Sequence, residues 1–216
     1  METHLQSPES VNQNIELRDG DSIDVLRANT YRLLATLLAA PATRELLDSL
    51  QKIGSPGGGE ADGGSGMAQA WQTLKIASER ATVEAVDDEY HDLFIGIGRG
   101  ELVPYGSWYL TGFMMDRPLA LLRRDLAELG IERQTDVHEP EDHVSALCET
   151  MSLIIENSEE IPLEIQHNFF RDHLDTWMGK FFVDLQKAKS ARYYIAIGQL
   201  GEQFIKVERK YFGMTV

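Results

Sequence analysis

Apolar residues recur every three or four positions through almost the whole chain, a spacing that suits helices and defeats strands. From Asp24 to Ala40, the residues Ala28, Tyr31, Leu34 and Leu38 keep that interval until Pro41 stops the run. Thr43 to Ile53 reads as a short second helix ended by Gly54, and Met67–Ser78 and Ala81–Leu93 read as the next two. In the latter, Val83, Val86 and Tyr90, continued by Phe94, fall on one side. Asp116 caps a further helix with Pro118 in its first turn, which runs to Leu129 and is closed by Gly130. Another starts at Pro140 and reaches Glu156, with Val144, Leu147, Met151, Ile154 and Ile155 as its core stripe and Cys148 on the flank. Leu163 to Phe212 holds two or three more, rich in aromatic pairs (Phe169-Phe170, Phe181-Phe182, Tyr193-Tyr194) of the kind that fill cores. No convincing alternating strand and no internal repeat interrupts this pattern. The expected fold is all-α, a compact bundle of about nine to eleven helices. It divides into two closely packed halves, 22–130 and 139–213, joined by a polar connector at 131–138.

Two stretches stand outside the bundle. Residues 1–21 are polar, mildly acidic and aperiodic, which predicts a disordered tail. Residues 54–66 carry so much glycine that ordering them is unfavourable, which predicts a flexible surface loop. The rest of the composition narrows the partners. Thirty-five Asp and Glu face 20 Lys and Arg, a formal net charge of −15. Such a surface repels nucleic acid and anionic membrane and attracts basic ligands, although acidity also serves plain solubility. A single cysteine excludes an internal disulfide, no run approaches the ~20 apolar residues of a spanning helix, and the first 21 residues lack the pattern of a secretory signal. These features predict a cytoplasmic protein without stable membrane insertion. Arg123-Arg124 sits within a helical pattern and reads as a solvated face rather than an export signal.

Chemistry-bearing residues concentrate in two places. The first runs from Glu89 to Ser107. Its Gly96, Gly98 and Gly100 suggest a phosphate turn, but a dinucleotide fingerprint needs a third glycine where Glu101 stands and a strand beforehand. Positive backbone φ in a tight loop explains the glycines better. After them, Pro104, Tyr105, Ser107, Trp108 and Tyr109 offer anchors for a partner. Trp108 and Tyr109 can equally tuck into the bundle. The second place is His138-Glu139-Pro140-Glu141-Asp142-His143. A zinc-protease helix requires His-Glu-x-x-His, and here the second histidine comes one place late. Three acids at a helix start suit the macrodipole, and Pro140 suits a first helical position. Taken as helical, with Met151 marking the core, Asp142 points away from the core and His143 sits at its margin.

At these segments the chain resembles the TorD/DmsD/NarJ-type family, the chaperones that mature bacterial molybdenum-containing oxidoreductases, and is nearest in pattern to the TorD/DmsD branch. The motifs are Glu89-Tyr90-x-x-Leu93-Phe94-x-Gly96, then Pro104 and Ser107, then Glu139-Pro140-x-Asp142-His143. Phe170-x-x-His173-Leu174-x-x-Trp177-x-x-x-Phe181, Tyr194 and Glu208 extend the match, which covers roughly Ile23 to Phe212. The resemblance implies a helical, non-catalytic cytoplasmic protein without a required cofactor. It implies binding of the twin-arginine signal peptide, and of the apo catalytic subunit, of an exported molybdopterin oxidoreductase until its cofactor is inserted. Molybdenum-cofactor biosynthesis proteins are further candidate partners, and nucleic acid is not one. Some members bind GTP weakly or exchange domains at the connector, and both stay open here. Peptide-binding roles in the family fall on Tyr90, Leu93, Phe94, Pro104, Tyr105, Ser107, Asp142 and His143. Several relatives carry Trp where this chain has Tyr90 and Tyr105, so its peptide preference is expected to differ.

Elementary chemistry points the same way. Carboxylates grip guanidinium groups in charge-assisted pairs, which suits Asp142 with Glu139 or Glu141. Leu93, Phe94 and Tyr105 can wall a groove for an apolar segment. The expected arrangement is a two-sided clamp, with the loop after Phe94 opposite the turn at Asp142-His143. Two other readings remain: a metal-dependent hydrolase built on His138, Glu139, Asp142 and His143, and an assembly adaptor that binds no signal peptide.

Overall fold

The computed structural model of the chain describes residues 3–4, 23–53, 66–96, 99–133 and 139–215. Among these are ten α-helices: α1 (Ile23–Ala39), α2 (Arg44–Lys52), α3 (Gly66–Arg80), α4 (Val83–Tyr90), α5 (Gly106–Thr111), α6 (Arg117–Glu128), α7 (Val144–Glu156), α8 (Leu163–Phe169), α9 (Met178–Lys187) and α10 (Tyr193–Thr215). The all-α expectation holds. One two-residue parallel pairing, β1 (Thr3–His4) with β2 (Ile131–Glu132), was not foreseen, since neither segment alternates in polarity. Apart from Thr3 and His4, the expected tail 1–21 lies outside the described residues. So do residues 54–65 of the glycine-rich stretch and residues 134–138 of the connector.

Helix α1 is the axis of the bundle. Its Leu33 and Leu37 are as fully buried as Tyr31, Leu34 and Leu38, so apolar side chains meet neighbours on more than one face. It packs against α7 and α10, while α9 and α3 flank α10. The two expected halves are therefore interleaved: a helix before Gly130 has its broadest packing with one after it. Burying each of these leucines stabilises the fold by about 1.5–3 kcal/mol. The aromatic pairs also do what their composition suggests, with Phe181, Phe182 and Tyr194 wholly buried.

Polar ties lock the last helix in register. Glu208, fully buried on α10, accepts from Arg27 Nε at 2.7 Å, Arg27 Nη2 at 3.0 Å and the Tyr31 hydroxyl at 3.1 Å. A buried ion pair survives only when its hydrogen bonds are made, as these are. At the other end of α10, Glu89 accepts from the backbone N–H groups of Arg192, Tyr193 and Tyr194 at 2.7–2.9 Å. Those are the orphan donors of a helix start, and a carboxylate there also meets the positive end of the macrodipole.

Beside each of the two segments singled out in the sequence the backbone departs from regular helix, as it also does in a π-turn over Phe170–Leu174. After Tyr90 it widens into a π-turn over His91–Ile95, where Gly96 N–H donates to His91 C=O at 2.7 Å. Gly96 ends it at φ 58°, a conformation that favours glycine. The second is the start of α7. It begins at Val144, not at Pro140, because His143 N–H closes a turn onto Pro140 C=O at 3.1 Å and His143 then acts as the N-cap. The acids at 139–142 thus precede the helix instead of forming its first turn.

Candidate functional site

The π-turn turns Phe94 toward α1 and α2, and the chain then folds back on itself. Leu102 N–H donates to Leu93 C=O at 2.8 Å, Val144 N–H to Pro104 C=O at 2.9 Å, and Gly106 N–H to Asp142 C=O at 2.9 Å. Tyr105 and His143 face each other as an antiparallel bridge. The two segments singled out in the sequence, 38 residues apart between Tyr105 and His143, are thus stitched together backbone to backbone.

Extended pairing decides where each side chain goes. Successive residues on a strand point to opposite faces. Tyr105 and His143 lie on one face, with ring centroids 4.9 Å apart, and Gly106 and Asp142 lie on the other. The helical placement expected for residues 140–143 is therefore corrected. Asp142 is 2% exposed and His143 7%, so both are buried.

On the Tyr105 face is a groove of about 240 Å³. Tyr90, Phe94, Pro104, Tyr105, Glu139 and His143 form its aromatic and polar wall. Ala35, Thr36 and Ala39 of α1, with Ala40, Pro41, Leu46 and Ala146, form its floor and far side. Tyr90 is held by donation to Ala39 C=O at 2.9 Å and packs against Phe94 at 5.1 Å, which in turn meets Tyr194 at 5.5 Å. The Tyr105 hydroxyl donates to Glu139. Burial, with the Glu139 charge behind it, pushes Tyr90 up to about 12. Burial and the bond to Glu139 push Tyr105 up as well. Both phenols are donors at neutral pH. Burial holds His143 down at about 4 against the opposing pull of Glu139 and Asp142. Its Nδ1 accepts from the Ser145 N–H at 3.2 Å, so the neutral ring carries its proton on Nε2.

Three residues expected at the site lie behind this wall. Leu93 is fully buried in the core. Ser107, also fully buried, donates its N–H to Asp142 Oδ2 at 2.7 Å and its hydroxyl to the same oxygen. Asp142 thereby caps the first turn of α5 from 35 residues away. Trp108 and Tyr109 are half-buried. The Arg99 guanidinium lies over Trp108 at 5.0 Å, and Tyr109 packs on Trp177 at 5.4 Å. A Cβ at position 106 would come within 3.1 Å of Trp177 Nε1, which explains the glycine there.

Sequence reasoning missed the floor. Ala35 and Ala39 sit one turn apart on α1, and small residues at that interval were the available signal for a surface left open. As for metal, no group of three or more His, Cys, Asp or Glu suited to a metal ion occurs among the described residues. His138 lies outside them. Of the others, one Glu139 oxygen accepts from Tyr105, Asp142 Oδ2 from Ser107 and His143 Nδ1 from the Ser145 N–H.

The family model for the nitrate reductase delta subunit matches residues 60–183. The chain belongs to that family. Among relatives of this chain, the chaperone protein TorD of Vibrio atlanticus is 26% identical over 213 residues, covering 90% of this chain and 98% of its own. The probable Tat proofreading chaperone DmsD of Haemophilus influenzae is 29% identical over 124 residues, 56% of this chain and 59% of its own. A putative redox enzyme maturation protein from Archaeoglobus fulgidus has the same fold, with a TM-score of 0.53 at 17% identity over 88% of this chain and 98% of that one. The resemblance read from the two motifs is thus upheld.

Proposed function

We propose that this delta-subunit family member is a maturation chaperone that binds the twin-arginine signal peptide of an exported molybdopterin oxidoreductase. It holds the apo catalytic subunit for cofactor insertion before export. The observation that carries this reading is the meeting of Phe94, Tyr105, Glu139 and His143 on one groove, whose floor is made of alanines. An apolar segment finds aromatic and aliphatic walls there. Backbone donors and acceptors of the segment find Tyr90, Tyr105 and the His143 Nε2–H. The role is holding, not reaction, and the protein works in the cytoplasm. Among the described residues no helix is long and apolar enough to cross a membrane. The charge of −15 speeds encounter with a basic leader and makes binding weaken with salt. Molybdenum-cofactor biosynthesis proteins are the natural further partners of such a complex.

Calorimetric titration with a synthetic peptide bearing two arginines and an apolar run tests the reading. Phe94→Ala and Tyr105→Ala are each expected to weaken binding at least tenfold, ~1.4 kcal/mol. Unchanged affinity in both variants sinks the assignment of this groove.

A further inference from the structure

Large apolar side chains left in the open gather at one spot. Of eleven such side chains exposed among the described residues, five lie between positions 110 and 121: Leu110, Phe113, Met114, Met115 and Leu121. Phe113 and Met115 are 71% and 72% exposed. They stand on a loop whose two feet, Leu110–Thr111 and Arg117–Pro118, line a hollow of about 270 Å³ walled by Leu110, Leu121, Leu122, Leu147 and Trp177. The loop is held in place. Phe113 N–H donates to Thr111 Oγ1 at 3.2 Å, and Arg117 N–H to Asp116 Oδ1 at 2.7 Å. Met115 takes φ 55°, alone among the described non-glycine residues in the left-handed region, a costly conformation that points to a use for the loop. At roughly 200 Å² for a whole side chain, these exposures leave about 500 Å² of apolar surface on one copy, in the upper range for a protein that meets no partner.

We infer that this face pairs with the same face of a second copy of the chain across a two-fold axis, with Phe113 of each copy in the hollow of the other. A knob and a hollow side by side on one surface are what an isologous pair requires. Two such surfaces bury about 1,000 Å², the threshold of a specific interface, so the pair is weak and reversible. Charge selects this occupant over a basic one. Over residues 106–127 three arginines face two aspartates, whereas the whole chain carries −15. Another copy therefore meets less repulsion here than over the rest of the surface, and a basic leader less attraction. No exchange of segments at the connector is involved. The pairing stands independently of the peptide reading, since the hollow shares no lining residue with the Tyr105 groove.

Sedimentation velocity of the full chain from ~1 to ~300 µM tests this. The wild type is expected to pass from monomer to dimer with a midpoint of about 10–100 µM. Pairing is expected to tighten as salt rises from ~20 to ~300 mM, because screening relieves the repulsion between two acidic copies. Phe113→Glu, on the knob, and Leu121→Glu, on the rim of the hollow, each place a charge in the apolar contact and are expected to weaken pairing at least tenfold. Both positions are exposed, so the far-ultraviolet circular dichroism of the monomer is expected to stay that of the wild type. Should Leu121→Glu fail to fold, Phe113→Glu decides alone. A wild type that stays monomeric throughout overturns the pairing and leaves the face to another occupant, such as the mature part of the client. A dimer unchanged by Phe113→Glu is held elsewhere, for example by exchange at the connector, and overturns it too.

Discussion

Asp142→Ala tests the claim that this carboxylate is first a structural tie across the wall. The substitution strips the acceptor from the Ser107 N–H, now at 2.7 Å, and from the Ser107 hydroxyl. Ser107 is wholly buried, so water does not reach the orphaned donors without local opening. Each unpaired buried donor costs about 1–3 kcal/mol. Two such losses are offset in part because the variant no longer buries a charge with one unmatched oxygen, and because the hydroxyl can rotate. The expected net cost is about 3 kcal/mol, or a fall of ~6–12 °C in Tm for a chain of this size. Asp142→Asn keeps an acceptor oxygen and is expected to cost about 1 kcal/mol. Ser107→Ala is expected to cost ~1–2 kcal/mol, and the two truncations together less than their sum by about 1–2 kcal/mol. Urea unfolding at pH 7, followed by far-ultraviolet circular dichroism, reads all four variants. A cost under ~1 kcal/mol for Asp142→Ala, or a double variant additive within about 0.5 kcal/mol, refutes the tie.

Acid lability is the next expectation. His143 sits at about 4 in the fold against an ordinary 6.5, so the unfolded chain takes up its proton first as pH drops. Its contribution is intact above pH ~6.5 and is lost between there and pH ~4, to the extent of about 3 kcal/mol. Unfolding midpoints at pH 7, 5.5 and 4 check this, because His143→Asn has to flatten the decline over that window; an unchanged slope counts against it. Removing the Glu89 carboxylate orphans three N–H groups at the start of α10, so Glu89→Ala is expected to cost ~3–4 kcal/mol and Glu89→Gln clearly less. Thermal unfolding decides it, and a loss below ~1 kcal/mol for the alanine variant argues against the cap.

The helices were legible because their signals are local. Pro41, Asp116 and Gly130 end or start elements through their own backbone preferences, and the apolar stripes need only a few neighbours. The wall of the groove was not legible in the same way. Helix α5 is six residues long, and its first turn is capped by a carboxylate 35 positions later, so no window around Gly106 contains the reason for it. Helical periodicity extended past Val144 placed Asp142 and His143 by the wrong geometry, since an extended pairing with residues 104–106 takes over there. The motifs themselves marked the right neighbourhood. Which of their residues face the groove, and which brace it from behind, depends on a partner strand that sequence spacing does not reveal.

The wide turn at His91–Ile95 holds one residue more than a regular turn of helix would. Each residue of an α-helix advances about 100° around its axis. Deleting a single amino acid between Tyr90 and Gly96 would let the helix run on regularly and swing Phe94 by roughly that angle, out of the recess it lines. The recess thus owes its aromatic lip to an insertion of one, a change so small that lineages differing by a codon at this spot would present different surfaces to a client while keeping the same bundle.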